Sequence, residues 1–207
     1  IITGKDRVIV MGHRMPDVDS FGSAVGIYRI AQTLGRKAHI VLNEATTSVQ
    51  PLVELFKNNP EYDEDMIITS QQAIDMAGSN TVLVGVDVNK PSITECPDLL
   101  RFCKSVVVLD LLRKGTETIE NATLSYVEPY ASSACEMVSE ILQYTYDNIK
   151  IRTEEADCMY SGIMIDTNNF MTKTGVRTFE AAAFLRRNGA DVTRVRKLFR
   201  EDAAEYK

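Results

Sequence analysis

The sequence predicts an α/β fold, a mostly parallel β-sheet with helices on both faces, on three observations. Four short apolar runs each lead to carboxylates: Arg7-Val-Ile-Val-Met11 to His13, Asp17 and Asp19; Thr81-Val-Leu-Val-Gly-Val86 to Asp87; Ser105-Val-Val-Val-Leu109 to Asp110; Ser161-Gly-Ile-Met-Ile165 to Asp166. The runs are apolar and β-branched without alternation, as strands covered on both faces are. Segments of helical periodicity lie between them, the alternation that builds parallel sheets. Ligands of such sheets bind beyond the carboxyl ends of the strands, so one imidazole and several carboxylates converge on one edge.

In chain order, residues 20–34 follow the first run as a helix, with Gly22, Ser23, Ala24 and Gly26 small enough for close approach to the sheet and Gly35 as its stop. Residues 37–42 read as a strand, 49–57 as a helix stopped by Asn58-Asn59-Pro60, 66–69 as a short strand and 71–77 as a helix. The runs ending at Asp87 and Asp110 are separated by a short helix over 97–103. Residues 124–127 suit an edge strand, and a helix opened by Ser132-Ser133 runs to about Tyr146. The next helix starts at an N-cap in Thr153-Glu-Glu-Ala and extends to about Ser161, which leaves 162–165 as either a strand or the end of that helix. Two late helices, 179–187 and 192–199, flank Asn188-Gly189.

The 207 residues suit one α/β domain with additions, and 44 % hydrophobic with 25 % charged residues excludes a disordered or fibrous chain. A formal charge of −6 argues against long nucleic acid, because non-specific binding needs Lys and Arg to release counterions. No apolar stretch approaches the ~20 residues of a membrane span, so no membrane contact is expected of this chain. The four cysteines have neither Cys-x-x-Cys spacing nor a neighbouring His and read as buried thiols of a cytoplasmic domain. The start at Ile1 without an initiator Met suggests an excised fragment of a longer protein.

His13, Asp17 and Asp19 form H-x3-D-x-D on a loop that opens a helix. Carboxylates two residues apart point in different directions, so each can serve a different ion, although Asp19 would also serve as a plain N-cap. One imidazole among carboxylates suits Mn²⁺ or Mg²⁺ rather than a thiolate-selecting metal. Two such ions about 4 Å apart would clamp a phosphate and activate water, which predicts phosphoester or phosphoanhydride hydrolysis. Ser132 and Ser133 either cap their helix or open its N–H groups to phosphate. Asn168 and Asn169 either bind substrate or shape a turn; Arg113 either meets phosphate or is surface charge. His39 reads as structural.

At His13 and Met15-Pro-Asp-Val-Asp-Ser-Phe-Gly-Ser-Ala-Val-Gly26, and again at Glu128-Pro-Tyr-Ala-Ser-Ser-Ala134 and Asp166-Thr-Asn-Asn-Phe170, the chain resembles the DHH superfamily of phosphoesterases. It is most similar to the catalytic DHH lobe of GdpP/YybT-type cyclic-di-AMP phosphodiesterases. The resemblance implies a Rossmann-like three-layer lobe and a two-site Mn²⁺ cofactor. His13, Asp17 and Asp87 would hold the first ion, and Asp19, bridging Asp87 and Asp166 the second, with Asp87 and Asp110 as catalytic carboxylates. The implied ligand is cyclic di-AMP or its linear product pApA. The resemblance also implies a metal-binding domain over 1–190 and a helical exit over 191–207 toward a C-terminal substrate-binding lobe. The parent would be a bacterial protein anchored in the cell membrane by upstream segments; a homodimer stays open.

One motif departs from the family. Where Asp-His-His is expected, the chain reads Asp110-Leu111-Leu112, and leucine has neither a lone pair for a metal nor a proton for a leaving group. The expected consequence is impaired hydrolysis. Two alternatives stand beside it: a catalytically inactive metal- or nucleotide-binding regulatory domain, and another DHH phosphoesterase acting on pyrophosphate or short oligonucleotides.

Overall fold

A computed structural model describes residues 2–88, 90–111, 122–145 and 149–205. Six strands, β1 (Arg7–Met11), β2 (Lys37–Val41), β3 (Ile67–Ile68), β4 (Thr81–Val86), β5 (Ser105–Asp110) and β6 (Leu124–Val127), form one sheet in the order β3-β2-β1-β4-β5-β6. Every pairing is parallel, with Arg7 opposite both Lys37 and Thr81 and Asp110 opposite Val127. The order reverses between β1 and β4, which makes that junction the topological switch point of the sheet.

The uniform apolar runs conceal a period of two. Val8, Val10, Val82, Val84, Val107 and Leu109 enter the larger core, while Ile9, Met11, Leu83, Val106 and Val108 enter a smaller one on the opposite face. Helices α3 (Ser70–Met76) and α4 (Leu99–Phe102) cover the smaller core through Ala73 and Leu99. On the other face α1 (Val18–Thr33) packs against β1 and β2 and is itself overlaid by α5 (Ala134–Thr145) and α6 (Thr153–Asp166). Buried between sheet and helices, α1 is apolar or small on nearly every side. A single turn, α2 (Gln50–Val53), lies after β2, and α7 (Val176–Arg187) and α8 (Val192–Glu205) complete the larger layer.

Gly22 and Gly26 set how closely these helices meet. A Cβ on Gly22 would stand 2.6 Å from Cys158 O and 2.8 Å from Cys135 Sγ; one on Gly26 would stand 2.4 Å from Val138. The small residues of α1 therefore serve contact with α5 and α6 as well as with the sheet.

Residues 162–165 are the final turn of α6, not a strand. A short apolar run fits a buried helix as well as a buried strand, and the helix prevails because its bonding is continuous: Thr167 N and Thr167 Oγ1 both donate to Ile163 O, at 3.0 and 2.7 Å. The cap of α6 is Arg152 rather than Thr153, with Glu155 Oε1 accepting from Arg152 N at 2.9 Å. Helices α1, α7 and α8 extend beyond the ranges expected from sequence, whereas α2 is confined to one turn. No helix among the described residues is long and apolar enough to cross a membrane.

Candidate metal centre

The loops after β1 and β4 face each other across the switch point. Asp17 caps α1, its Oδ1 accepting from Ser20 N at 2.8 Å, which fixes a carboxylate one turn beyond His13. The His13 loop is itself held by the segment after β4: Arg14 N donates to Ile93 O at 2.7 Å and Glu95 N to Gly12 O at 2.9 Å. Asp87 follows β4 in a left-handed conformation, φ 55°, while its N–H still donates to Leu109 O of β5 at 2.9 Å. The ladder thus continues one residue past the strand and then turns sharply.

His13 Nε2 lies 3.9 Å from Asp17 Oδ1 and 3.8 Å from Asp87 Oδ2. One ligand atom from each of the three lies within 4.8 Å of the others. Nδ1 of His13 stands 3.0 Å from Arg14 O; a carbonyl only accepts, so Nδ1 carries a proton and Nε2 is the ring atom turned toward the two carboxylates, the one a cation would take. Three electron-rich atoms in convergence are the donor set of a hard or borderline divalent cation, and these residues fit an ion of that class.

Asp19 takes a different position, at the amino end of α5. Its Oδ2 accepts from Ala134 N and its Oδ1 from Cys135 N, each at 2.8 Å. The first free N–H groups of α5 therefore bind a carboxylate of the chain itself, as a helix N-terminus favours. Asp166, at the carboxyl end of α6, comes close enough to Asp19 that, after burial, the charge of Asp19 raises its carboxyl. Gly162, one turn earlier, makes this approach feasible, since a Cβ there would stand 2.5 Å from Cys135 Sγ and 3.0 Å from Asp19 Cα. Sequence reasoning missed Gly162 and the α5 backbone as supports of the site. Their only signal is smallness, and backbone donors leave no trace in residue type.

Like charges crowd this edge. Burial, with Asp17, Asp110 and Asp166 nearby, pushes the Asp87 carboxyl up to about 8. Burial first, then the charge of Asp87, raises Asp19 above the ordinary carboxylate range, with the α5 N–H groups opposing the rise, and burial first, then the charge of Asp19, raises Asp166. Such a cluster is held apart from its preferred ionisation until positive charge enters it.

Asp110 is buried at the end of β5, its Oδ1 accepting from Leu111 N at 2.8 Å. Leu111 is half-buried beside it, while Leu112 and Arg113 lie outside the described residues. Ser133 Oγ accepts from Glu136 N at 3.0 Å and Ser132 Oγ donates to Glu136 Oε1 at 2.8 Å, so both serines serve the start of α5. Thr178 Oγ1 donates to the same Glu136 carboxylate. Asn168 and Asn169 are consecutive left-handed residues, φ 47° and 60°, in the turn after Asp166, and Asn169 Oδ1 accepts from Arg196 at 3.3 Å. His39 is buried away from this edge, with Nδ1 donating to Asp65 O at 2.6 Å and Nε2 accepting from Arg7 at 2.5 Å.

Comparison with known proteins supplies the family. The chain is 40 % identical over 210 residues to the cyclic-di-AMP phosphodiesterase GdpP of Bacillus subtilis, covering all of this chain and 31 % of that protein. It is 38 % identical over 208 residues to the cyclic-di-AMP phosphodiesterase PdeA of Listeria monocytogenes, covering all of this chain and 32 % of that protein. The chain thus spans about a third of the length of these relatives. Among solved structures, an exopolyphosphatase-related protein from Bacteroides fragilis superposes with a TM-score of 0.79 at 20 % identity, over 95 % of this chain and 57 % of that one, a likeness of fold. The sequence profile of the DHH family, N-terminal domain, matches residues 7–163, and the chain belongs to the DHH family.

Proposed function

We propose that this chain is the metal-binding lobe of a cyclic-dinucleotide phosphodiesterase, with Mn²⁺ held by His13 Nε2 and the carboxylates of Asp17 and Asp87. The observation that carries this reading is the convergence of those three donor atoms within 4.8 Å at the switch point of the sheet. The Bacillus and Listeria relatives are named for cyclic di-AMP, and the same dinucleotide, opened to pApA, is the proposed substrate. A divalent cation held by these three residues would supply positive charge to a phosphodiester and acidify a nearby water. The chain's own part is to hold the imidazole tautomer through Arg14 O, to fix Asp17 by its capping bond and to aim Asp87 by its left-handed turn.

Asp19, Asp87 and Asp166 are the proposed second set, with Asp110 beside them. That set starts from a weaker position, because both Asp19 oxygens already accept from α5 and the family's two imidazoles are replaced by Leu111 and Leu112. The proposed outcome is an intact first site, a weakened second and slow or absent hydrolysis. Residues 1–190 would be the domain itself and 191–207 the helical exit toward a second lobe of the longer parent protein.

The presence of Leu111 beside Asp110 favours a second reading, a non-catalytic domain that binds metal or nucleotide for regulation. Calorimetry with Mn²⁺ and then cyclic di-AMP, beside a hydrolysis assay on this chain and on the Leu111→His, Leu112→His double variant, separates the two. Slow turnover raised by the imidazoles supports the impaired enzyme. Binding without turnover in either protein supports the regulatory domain, and equal turnover in both removes the argument from the missing histidines.

A further inference from the structure

Tyr130 is 80 % exposed, yet it stands on a loop hydrogen-bonded at both ends. The loop leaves β6 at Glu128, whose N–H donates to Asp110 O at 3.0 Å, and ends at Ala134, whose N–H donates to Asp19 at 2.8 Å. One end is thus bonded to the main chain of Asp110 and the other to the carboxylate of Asp19, and Tyr130 lies between them. Glu128 organises the turn from within: its Oε1 accepts from Tyr130 N at 3.2 Å and its main-chain O from Ala131 N at 3.4 Å. Arg177 of α7 then secures Glu128, 3.4 Å from Oε2, while it grips Glu140 of α5 with two bonds of 2.7 and 2.6 Å.

A scattered apolar side chain on a surface needs no explanation. An aromatic ring presented to solvent by a backbone braced through three elements, on a loop whose ends bond to Asp110 and Asp19, is another matter. A rigid ring with two torsions loses little entropy on contact, and every nucleobase offers a π-face to it. We infer that Tyr130 is the platform on which a nucleobase stacks when the phosphate of a nucleotide occupies the site. The inference rests on the nucleotide-binding reading above and adds the residue that recognises the base.

The chain contains no tryptophan, so Tyr130→Trp installs a single indole reporter at the ring's own position. With Mn²⁺ present, titration of that variant with pApA is expected to quench indole emission. Tyr130→Ala is expected to weaken pApA binding by about tenfold or more, the scale of base–aromatic stacking, and to leave ribose 5-phosphate, which lacks the base, unaffected. Tyr130→Phe should bind pApA like the parent. Undiminished pApA affinity in Tyr130→Ala, as would follow if another domain covered the ring, overturns the inference, as does indole emission that ignores saturating pApA. A parent chain that takes up Mn²⁺ but no pApA overturns it while sparing the metal site. Failure to take up Mn²⁺ removes the underlying reading as well.

Discussion

Asp87 is the residue on which the candidate centre turns, since it faces His13 directly and is repelled by three other carboxylates. Replacing it by Asn keeps the shape and removes the charge. Altering even an indirect partner of a metal ligand typically costs about 10 to 100-fold in affinity, so Asp87→Asn should weaken Mn²⁺ binding by at least that factor in a calorimetric titration. The charge crowding also sets a pH dependence. A carboxyl with an ordinary value of 3.8 when unfolded and about 8 when folded binds an extra proton in the native state between those limits, so its contribution to stability declines as pH rises through that window. Melting of the metal-free protein in chelator should therefore fall from about pH 5 to about pH 8, and Mn²⁺ should restore more at the upper end. That His13, Asp17 and Asp87 reach one edge was legible from strand-end position alone. The fate of Asp19 was not, because its partners are backbone N–H groups more than a hundred residues along the chain.

Among elements, the contact of α1, α5 and α6 decides whether Asp166 meets Asp19. Gly162→Ala would place a methyl 2.5 Å from Cys135 Sγ, in a packed core where relief requires a helix to move. Overpacking of this kind costs about 1–3 kcal/mol, a loss measurable by denaturant unfolding, and the displaced end of α6 should lower the uptake of a second Mn²⁺ while sparing the first. The parallel strands were readable because both of their faces are covered and the apolar runs are correspondingly unbroken. The same criterion left 162–165 undecided: Gly162 and Ile163 are buried, but the side of the last turn that meets solvent is presented by Ile165, itself apolar, so no polar stripe reveals the helical period. Periodicity marks an element only where the side that meets water is polar.

For the whole molecule, Glu155 joins parts that the hydrophobic core alone would leave to slide. Fully buried in α6, it receives two bonds from Arg29 of α1, at 2.8 and 2.7 Å, and one from Tyr62 at 2.9 Å. Glu155→Ala strands a largely buried guanidinium, and loss of one partner of such a pair costs about 3–5 kcal/mol. The variant should unfold at clearly lower denaturant, while Arg29→Met with Glu155→Leu should recover much of the difference.

The strand order carries a kinetic consequence. β1 and β4 are neighbours in the sheet, but β2, α2, β3 and α3 lie between them in the chain. His13 and Asp87 consequently come together only once a long loop has closed, late in the ordering of a fold dominated by non-local pairing. A cation that grips both acts on a contact absent from the earlier, partly ordered states, so it should prolong the lifetime of the folded chain and leave its rate of formation almost unchanged.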